Sequence, residues 1–498
     1  MIELQVGGTV DLEHRVSVFA VDVTGIAGEV TRDPAAGSPV RDAEPGTLSE
    51  VLAQRAVPES GAEVLGERAE EADFRRRLSI PLDELAPQPG AEHPRVEVTV
   101  PAPDDDEAQA MLEVDEYGLV HWHFAEQDAD TGGRDRGGSL QTFSIPVRPI
   151  EIDGDDVAGD RGILGFGVRK ALHLVRFPVE FVAGRVAPFA VGKWEDKHRP
   201  YGLHRASPEY FAGKPDPVGP ELFTGDPVLL LIHGTFSAGR SGFAGIGADA
   251  ALLRELSDRY AGRVVVFDHP SVHVDPDRNV RHLLGSLPPD RATVIDVVAH
   301  SRGGLVARRL AAPETAAAAG RPVPVIRRII HVATPNAGTM LADPEHLGDL
   351  LDVFSNLVTL FTDEGSGVMA SAVLEVVKQV ATGMLRGLDG LTAMDPSAAW
   401  LTTLNTVPAD PATTVAAITS DFDSAGGKLP LRALDFMADR LFGTQNDLVV
   451  PTAGVYEAGS YRVDDRLDLS GMAPSIAHSG FLGDPRVHGW LADRLPGS

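Results

Sequence analysis

From Pro227 onward, short apolar runs alternate with longer stretches in which apolar residues recur every three or four positions. The runs are "VLLLIH" (228–233), "RVVVFD" (263–268), "TVIDVV" (293–298), "IRRIIHV" (326–332) and "TVAAIT" (414–419). Each is short and rich in β-branched residues, the texture of a strand buried on both faces. Strands separated by helical patterns predict a doubly wound, mainly parallel α/β sheet covered on both sides. The first 150 residues read differently. "RVSVFAVDV" (15–23), "PRVEVTV" (94–100), "GLVHWHF" (118–124) and "QTFSIPV" (141–147) alternate with period two or concentrate β-branched and aromatic residues. They predict a smaller β-rich part, with a Glu- and Arg-rich helical stretch around Leu48 to Arg77 and solvated turns at "PDDDEAQ" and "DADTGGRDRGG".

The pattern divides the chain into a β-rich accessory part (1–150), a linker with the first elements of the α/β part (151–226) and the α/β part itself (227–498). Within 341–405 an insertion interrupts the strand–helix alternation. Leu347, Leu350, Leu351, Phe354, Leu357, Val358 and Phe361 recur at helical steps, and Val373, Val376, Val377, Val380 and Met384 repeat them. Two amphipathic helices joined by a "DEGSG" hinge predict a helical cap. Four of the eight methionines, Met340, Met369, Met384 and Met394, fall in this region or at its border, which suits an adaptable apolar pocket.

Composition narrows the function classes. The 498 residues exceed one ordinary core, so at least two domains are expected. With 43% hydrophobic and 23% charged residues the chain is globular. Its formal net charge of −28 argues against nucleic acid, whose phosphates demand clustered Lys and Arg. The chain contains no cysteine, so disulfides, thiolate metal sites and a cysteine nucleophile are excluded. The amino terminus has neither a basic n-region nor an apolar run, and no stretch approaches the roughly 18 apolar residues of a spanning helix. The expectation is a cytoplasmic protein without a membrane segment.

The candidate chemistry centres on "VIDVVAHSRGGLVARRLA" (294–311), where a strand breaks on Ser301 and continues into a helix. Ala299 and Gly303 flank the serine at minus two and plus two, where a tight turn has no room for larger side chains, and His300 precedes it. Gly304 lets helix and strand approach. The pattern is G-x-S-x-G with Ala at the first position, a turn that lifts a hydroxyl out of the sheet's carboxyl edge. Some 65 residues earlier, "LLLIHGTFS" (229–237) ends a buried strand in His233-Gly234. A loop there can supply a backbone donor to a developing oxyanion, from Thr235 or Phe236, alongside the amide of Arg302. A nucleophilic serine also needs a base and an orienting carboxylate, in the chain order Ser, acid, His. Asp447 in "GTQNDLVVPTAG" is the preferred acid, with Asp421 and Asp423 of "TSDFD" as rivals. His478 is the preferred base; His488 competes but falls at the start of the last helix, beside Trp490.

With "IHGTFS", "HVATPNAGT" (331–339), "LDGLTAMDPSAAWLTTLN" (388–405) and "NDLVVP", these motifs resemble the lipase and esterase branch of the α/β-hydrolases over about 227 to 495. The resemblance implies a Ser301, Asp447, His478 triad, no cofactor and no metal. Arg302 stands where Met, Leu or Gln is commoner, and would either favour polar or anionic substrates or pair with a neighbour. The expected activity is hydrolysis of a small-molecule or polymeric carboxylic ester. A peptidase or amidase on the same residues is the alternative, and a non-catalytic binding protein of this fold is the other. His121 and His123, flanking Trp122, could open a metal site, but no third ligand is evident nearby. Gly162, Gly165 and Gly167 lack the spacing of a dinucleotide fingerprint.

Overall fold

The five apolar runs fold as the strands their burial demands. A computed structural model describes residues 2–12, 15–28, 31–32, 75–104, 107–115, 117–125, 139–147, 168–179, 181–182, 185–186, 190–361, 366–383, 386–425 and 427–495. The expected helix around 48–77 lies outside these residues except at its end, where a strand begins. The "DADTGGRDRGG" turn, the 151–162 linker, the three glycines, Met384 and most of the "DEGSG" hinge also lie outside them.

In the amino-terminal part, the strands are β1 (Ile2–Leu4), β2 (Thr9–Leu12), β3 (Val16–Val21), β4 (Val23–Ala27), β5 (Thr31–Arg32), β6 (Arg75–Pro87), β7 (Arg95–Pro101), β8 (Glu107–Asp115), β9 (Val120–His123), β10 (Leu140–Pro146) and β11 (Val168–Pro178). They form two antiparallel sheets, β1-β4-β6-β11-β8-β9 with β5 paired to β6, and β10-β7-β3-β2. Val18, Val96, Val98, Phe143 and Ile145 of the smaller sheet share a core with Ile80, Leu82, Met111 and Leu172 of the larger. The β-rich part does not end at residue 150. Strand β11 is hydrogen-bonded between β6 and β8, so this part extends to Pro178. The segment that carries β11 falls within 151–226, which the sequence pattern assigns to the linker and the first elements of the α/β part.

The α/β part contains β12 (Gly202–Arg205), β13 (Val228–Ile232), β14 (Val264–Asp268), β15 (Val294–His300), β16 (Val325–Val332), β17 (Thr414–Thr419) and β18 (Asp465–Asp468). Their order is β12-β14-β13-β15-β16-β17-β18, all parallel except β12. This is a doubly wound sheet of the kind the α/β-hydrolase resemblance implies. The five expected strands fall within two residues of their runs. The outer strands β12 and β18 had no signal, because an edge strand needs no continuous apolar run. Around the sheet lie α1 (Ala190–His198), α2 (Pro276–Ser286), α3 (Gly303–Ala311), α4 (Leu347–Leu360), α5 (Ser366–Ala381), α6 (Leu429–Phe442) and α7 (Pro485–Arg494).

The inserted helices α4 and α5 join the two parts. Residues 350 to 358 of α4 are buried all round, the signature of a helix enclosed by neighbours. Leu350, Phe354 and Val373 share a core with Ala108, Leu112, Val120 and Trp122, the outer face of the larger amino-terminal sheet. Strand β9 is the edge of that sheet and would expose unpaired backbone. Helix α4 supplies the missing partners from one face. Asn356 accepts from Val120 N (2.9 Å) and donates to Val120 O (2.8 Å), Asp352 Oδ1 accepts from Trp122 N (2.7 Å), and Ser355 accepts from the Trp122 indole (3.0 Å). Leaving one such buried group unpaired costs about 1–3 kcal/mol.

His121 completes this junction, donating to Asp352 on α4 (3.0 Å) and facing Asp115 on β8 (3.4 Å). Burial opposes its charge, but hydrogen bonds to Asp115 and Asp352 prevail and hold it well above the ordinary histidine value. The imidazolium's stabilisation is then complete below about pH 6.5 and lost as pH climbs through the raised value. His121→Gln is expected to lower stability most at pH 6 and progressively less in alkali, read from urea denaturation of both proteins across pH.

Candidate active site

Crowding beneath the turn after β15 dictates its small residues. Ser301 has φ +54°, a conformation side chains rarely adopt. Its N–H donates to Val332 O on β16 (2.8 Å) and its carbonyl accepts from Gly304 N (3.0 Å). A Cβ at Gly303 would lie 2.3 Å from Ile232 O, and one at Gly304 would lie 2.1 Å from Thr334 Oγ1. At Gly234 it would meet the Ser301 Cβ at 2.5 Å. Ala299, fully buried, occupies the place of the first motif glycine.

Three residues far apart in sequence converge here. His478 Nε2 lies 2.9 Å from Ser301 Oγ, and His478 Nδ1 lies 2.8 Å from Asp447 Oδ2. Exposure is 5% at Ser301, 3% at His478 and 1% at Asp447. A carboxylate only accepts, so the imidazole proton sits on Nδ1 and Nε2 is free to accept from the serine hydroxyl. The other oxygen of Asp447 accepts from Val449 N (3.1 Å) and Val450 N (2.8 Å), which fixes the carboxylate plane. The backbone reinforces the pairing, since His478 N donates to Asp447 O (2.9 Å).

The rivals are occupied elsewhere. Asp421 accepts from Asn446 N (3.0 Å) and the Gln445 amide (3.0 Å), thereby bracing the turn that carries Asp447. Asp423 accepts from Ala425 N within its own loop. His488 bonds Asp249 (2.9 Å) and Leu482 O (2.8 Å), tying α7 to the body of the fold. His121 pairs with Asp115 and with Asp352 of the junction, and His123 pairs with Glu113 of the neighbouring strand (2.7 Å), within the amino-terminal sheet.

The residues around the serine have definite tasks. His300 donates Nε2–H to the His478 carbonyl (3.0 Å), and burial, with the neighbouring His478, lowers it to about 3, so it is neutral. His233 bonds Gly234 O through Nδ1 (2.9 Å) and accepts His269 N–H at Nε2 (3.2 Å). Burial holds it near 4, hence neutral as this bonding requires. Phe236, at φ +57°, packs edge-on against Phe354 of α4, with ring centroids 4.7 Å apart. The backbone N–H groups of Thr235, Phe236 and Arg302 donate to no acceptor among the described residues.

Arg302 corrects one expectation. Its side chain is fully buried and donates to Gly390 O (2.8 Å), Asn279 Oδ1 (3.0 Å) and Val274 O, so it neither faces a substrate nor pairs with an acid. It fastens the turn to the loop after β14 and to the 389–392 helix. The sequence also gave no hint of Glu195 and Arg199. Fully buried Glu195 on α1 accepts from the N–H groups of Ser271, Val272 and His273, and Arg199 donates to Ser237 O (3.0 Å). Both hold the loops behind His233, from within the 151–226 stretch assigned to the linker and first elements of the α/β part.

Among solved structures, lipase 1 from Pelosinus fermentans is similar at 14% identity and TM-score 0.38, over 55% of this chain and 99% of that one. Phospholipase PlaB from Legionella pneumophila is similar at 14% identity and TM-score 0.35, over 53% and 59%. A hydrolase from Oleispira antarctica follows at 12% identity and TM-score 0.32, over 60% and 95%. No curated protein matches by sequence. Residues 198–496 match the model of a family described as a domain of unknown function, DUF7379, and the chain belongs to that family.

Proposed function

We propose that the chain is a serine hydrolase of carboxylic esters, with Ser301 as nucleophile, His478 as general base and acid, and Asp447 as the orienting carboxylate. The single observation that carries this reading is the continuous relay from Asp447 through His478 to Ser301 Oγ. Such a relay, out of water, makes a hydroxyl nucleophilic at neutral pH. In the first step Ser301 Oγ attacks the acyl carbon while its proton passes to His478 Nε2. The carbonyl oxygen becomes an oxyanion, which accepts from the unpaired N–H groups of Arg302 and of Thr235 or Phe236. His478 then protonates the leaving alcohol, and the acyl group remains on Ser301. Water enters, yields a proton to His478 and attacks the ester; the carboxylic acid leaves and Ser301 regains its proton.

In this reading the catalytic chemistry belongs to residues 227–498, and the inserted helices are a cap over the site, held by the amino-terminal sheets. Phe354 and Met394 near the donor loop favour an apolar acyl chain. The substrate is then a hydrophobic small-molecule or polymeric ester.

A fluorophosphonate probe should label the folded wild-type chain at Ser301, as mapped by peptide mass analysis, and should not label Ser301→Ala. Absence of label on folded wild type would overturn the reading. The two carboxylates are also separable. Asp447→Asn should lower kcat by about 10³–10⁴-fold, whereas Asp421→Asn, one bond further out, should cost less than about tenfold. In a series of p-nitrophenyl esters, kcat/KM should rise from acetate towards medium chains; a steep fall beyond acetate would contradict an apolar acyl pocket.

A further inference from the structure

Helix α3, which begins beside Ser301, ends in a cation that its surroundings do not neutralise. Arg308 is 5% exposed. Its Nη1 donates to the side-chain oxygens of Asn405 (2.9 Å) and Asn336 (3.3 Å), and its Nη2 to Leu404 O (3.1 Å). The guanidinium carbon lies 3.9 Å above the Tyr461 ring. All of these partners are uncharged. No carboxylate lies within ion-pair distance among the described residues, and the adjacent Arg309 is itself committed to Asp277 and Glu314. Burial lowers Arg308 to about 10, so it stays charged at neutral pH. Buried cations are ordinarily paired, because a desolvated charge without a counter-charge is costly.

This cation lines a cavity of about 650 Å³, the size of a small-molecule site. The other walls are mainly apolar, with Trp400, Leu404, Val407, Pro411 and Ala312 among them. Three acids also line its margin: Asp277 and Glu314 share the Arg309 guanidinium, Asp277 accepts from the Trp400 indole as well, and Asp410 accepts from Ala412 N. The Nε–H of Arg308 is unpaired among the described residues and is not sealed off. A buried cation with no ion-pair partner of its own, set beside mainly apolar walls, matches a molecule with one negative group and a hydrocarbon tail.

We propose that this cavity binds an amphipathic monocarboxylate of medium chain length, its carboxylate on Arg308 and its chain along the apolar walls. The cavity lies at the far end of a nine-residue helix whose first residue is two positions after Ser301, so occupancy bears on the helix that carries the nucleophile turn. The ligand class is also the acid half of an ester. Sensing of product is a consequence that rests on the hydrolase reading; the site itself does not.

The test titrates the full-length Ser301→Ala chain with decanoate, followed by tryptophan fluorescence, which Trp400 reports, and by calorimetry. Saturable binding is expected at one site, with decanol weaker on the order of tenfold for want of the charge-assisted bonds. Arg308→Gln removes the charge. Val407→Asp, at a residue 55% exposed on the rim, adds a repelling carboxylate without disturbing the core. Each should weaken decanoate on the order of tenfold, and Val407→Asp should leave the thermal midpoint unchanged. Absence of saturable binding overturns the proposal, as does binding that Val407→Asp leaves intact, since the ligand then sits elsewhere. Should Arg308→Gln not fold, Val407→Asp decides alone. Fluorophosphonate labelling of wild type reports separately on the hydrolase reading.

Discussion

A left-handed backbone at a non-glycine residue costs about 1–3 kcal/mol and persists only where the surroundings over-determine it. At Ser301 the surroundings do so from every side. Strand β16 fixes its N–H, Gly304 returns a bond to its carbonyl, and Gly303 and Gly234 leave no volume into which the turn could relax. Arg302 then anchors the same turn to loops on its far side. The small residues of the motif and the buried arginine solve one problem together: holding a hydroxyl where Asp447 and His478 can reach it.

The same constraint reaches into the amino-terminal sheets. Phe236, itself in a left-handed conformation, rests on Phe354 of α4, and the opposite face of α4 completes the hydrogen bonding of β9. A chain of direct contacts therefore runs from a sheet edge, through one helix, to the loop facing Ser301. The polar residues of α4 are not solvent-facing exceptions in an apolar helix; Asp352, Ser355 and Asn356 are the acceptors and donors that an exposed strand lacks.

Much of this was legible in the sequence, for physical reasons. Strands buried on both faces must be continuously apolar, so β13 to β17 announce themselves, and a tight turn around Ser301 must be flanked by small residues. The convergence on Asp447 and His478 could be anticipated from chain order, and His488 is set apart by its place in the last helix; Asp447 and Asp421 are harder to tell apart, because both sit in polar loops of similar composition. The periodicity of α4 told that the helix is buried and not what buries it; its packing against the amino-terminal sheet is a tertiary fact. Likewise β11 lay hidden in a stretch read as linker, and β12 and β18 carry the polar composition an edge permits. Glu195 and Arg199 act through backbone amides and carbonyls, which leave no mark on the residues they serve.

The side-chain ladder between α4 and β9 bears on how this architecture can be inherited. A module that touches its neighbour through a linker can be lost, duplicated or exchanged by recombination. Here one partner supplies the hydrogen-bonding groups that the other's main chain requires, at positions fixed by helix geometry. The amino-terminal sheets and the insertion are thus two halves of an internal interface that must change together. Recombination that swapped one half alone would leave a sticky strand edge on one fragment and a helix of stranded polar groups on the other.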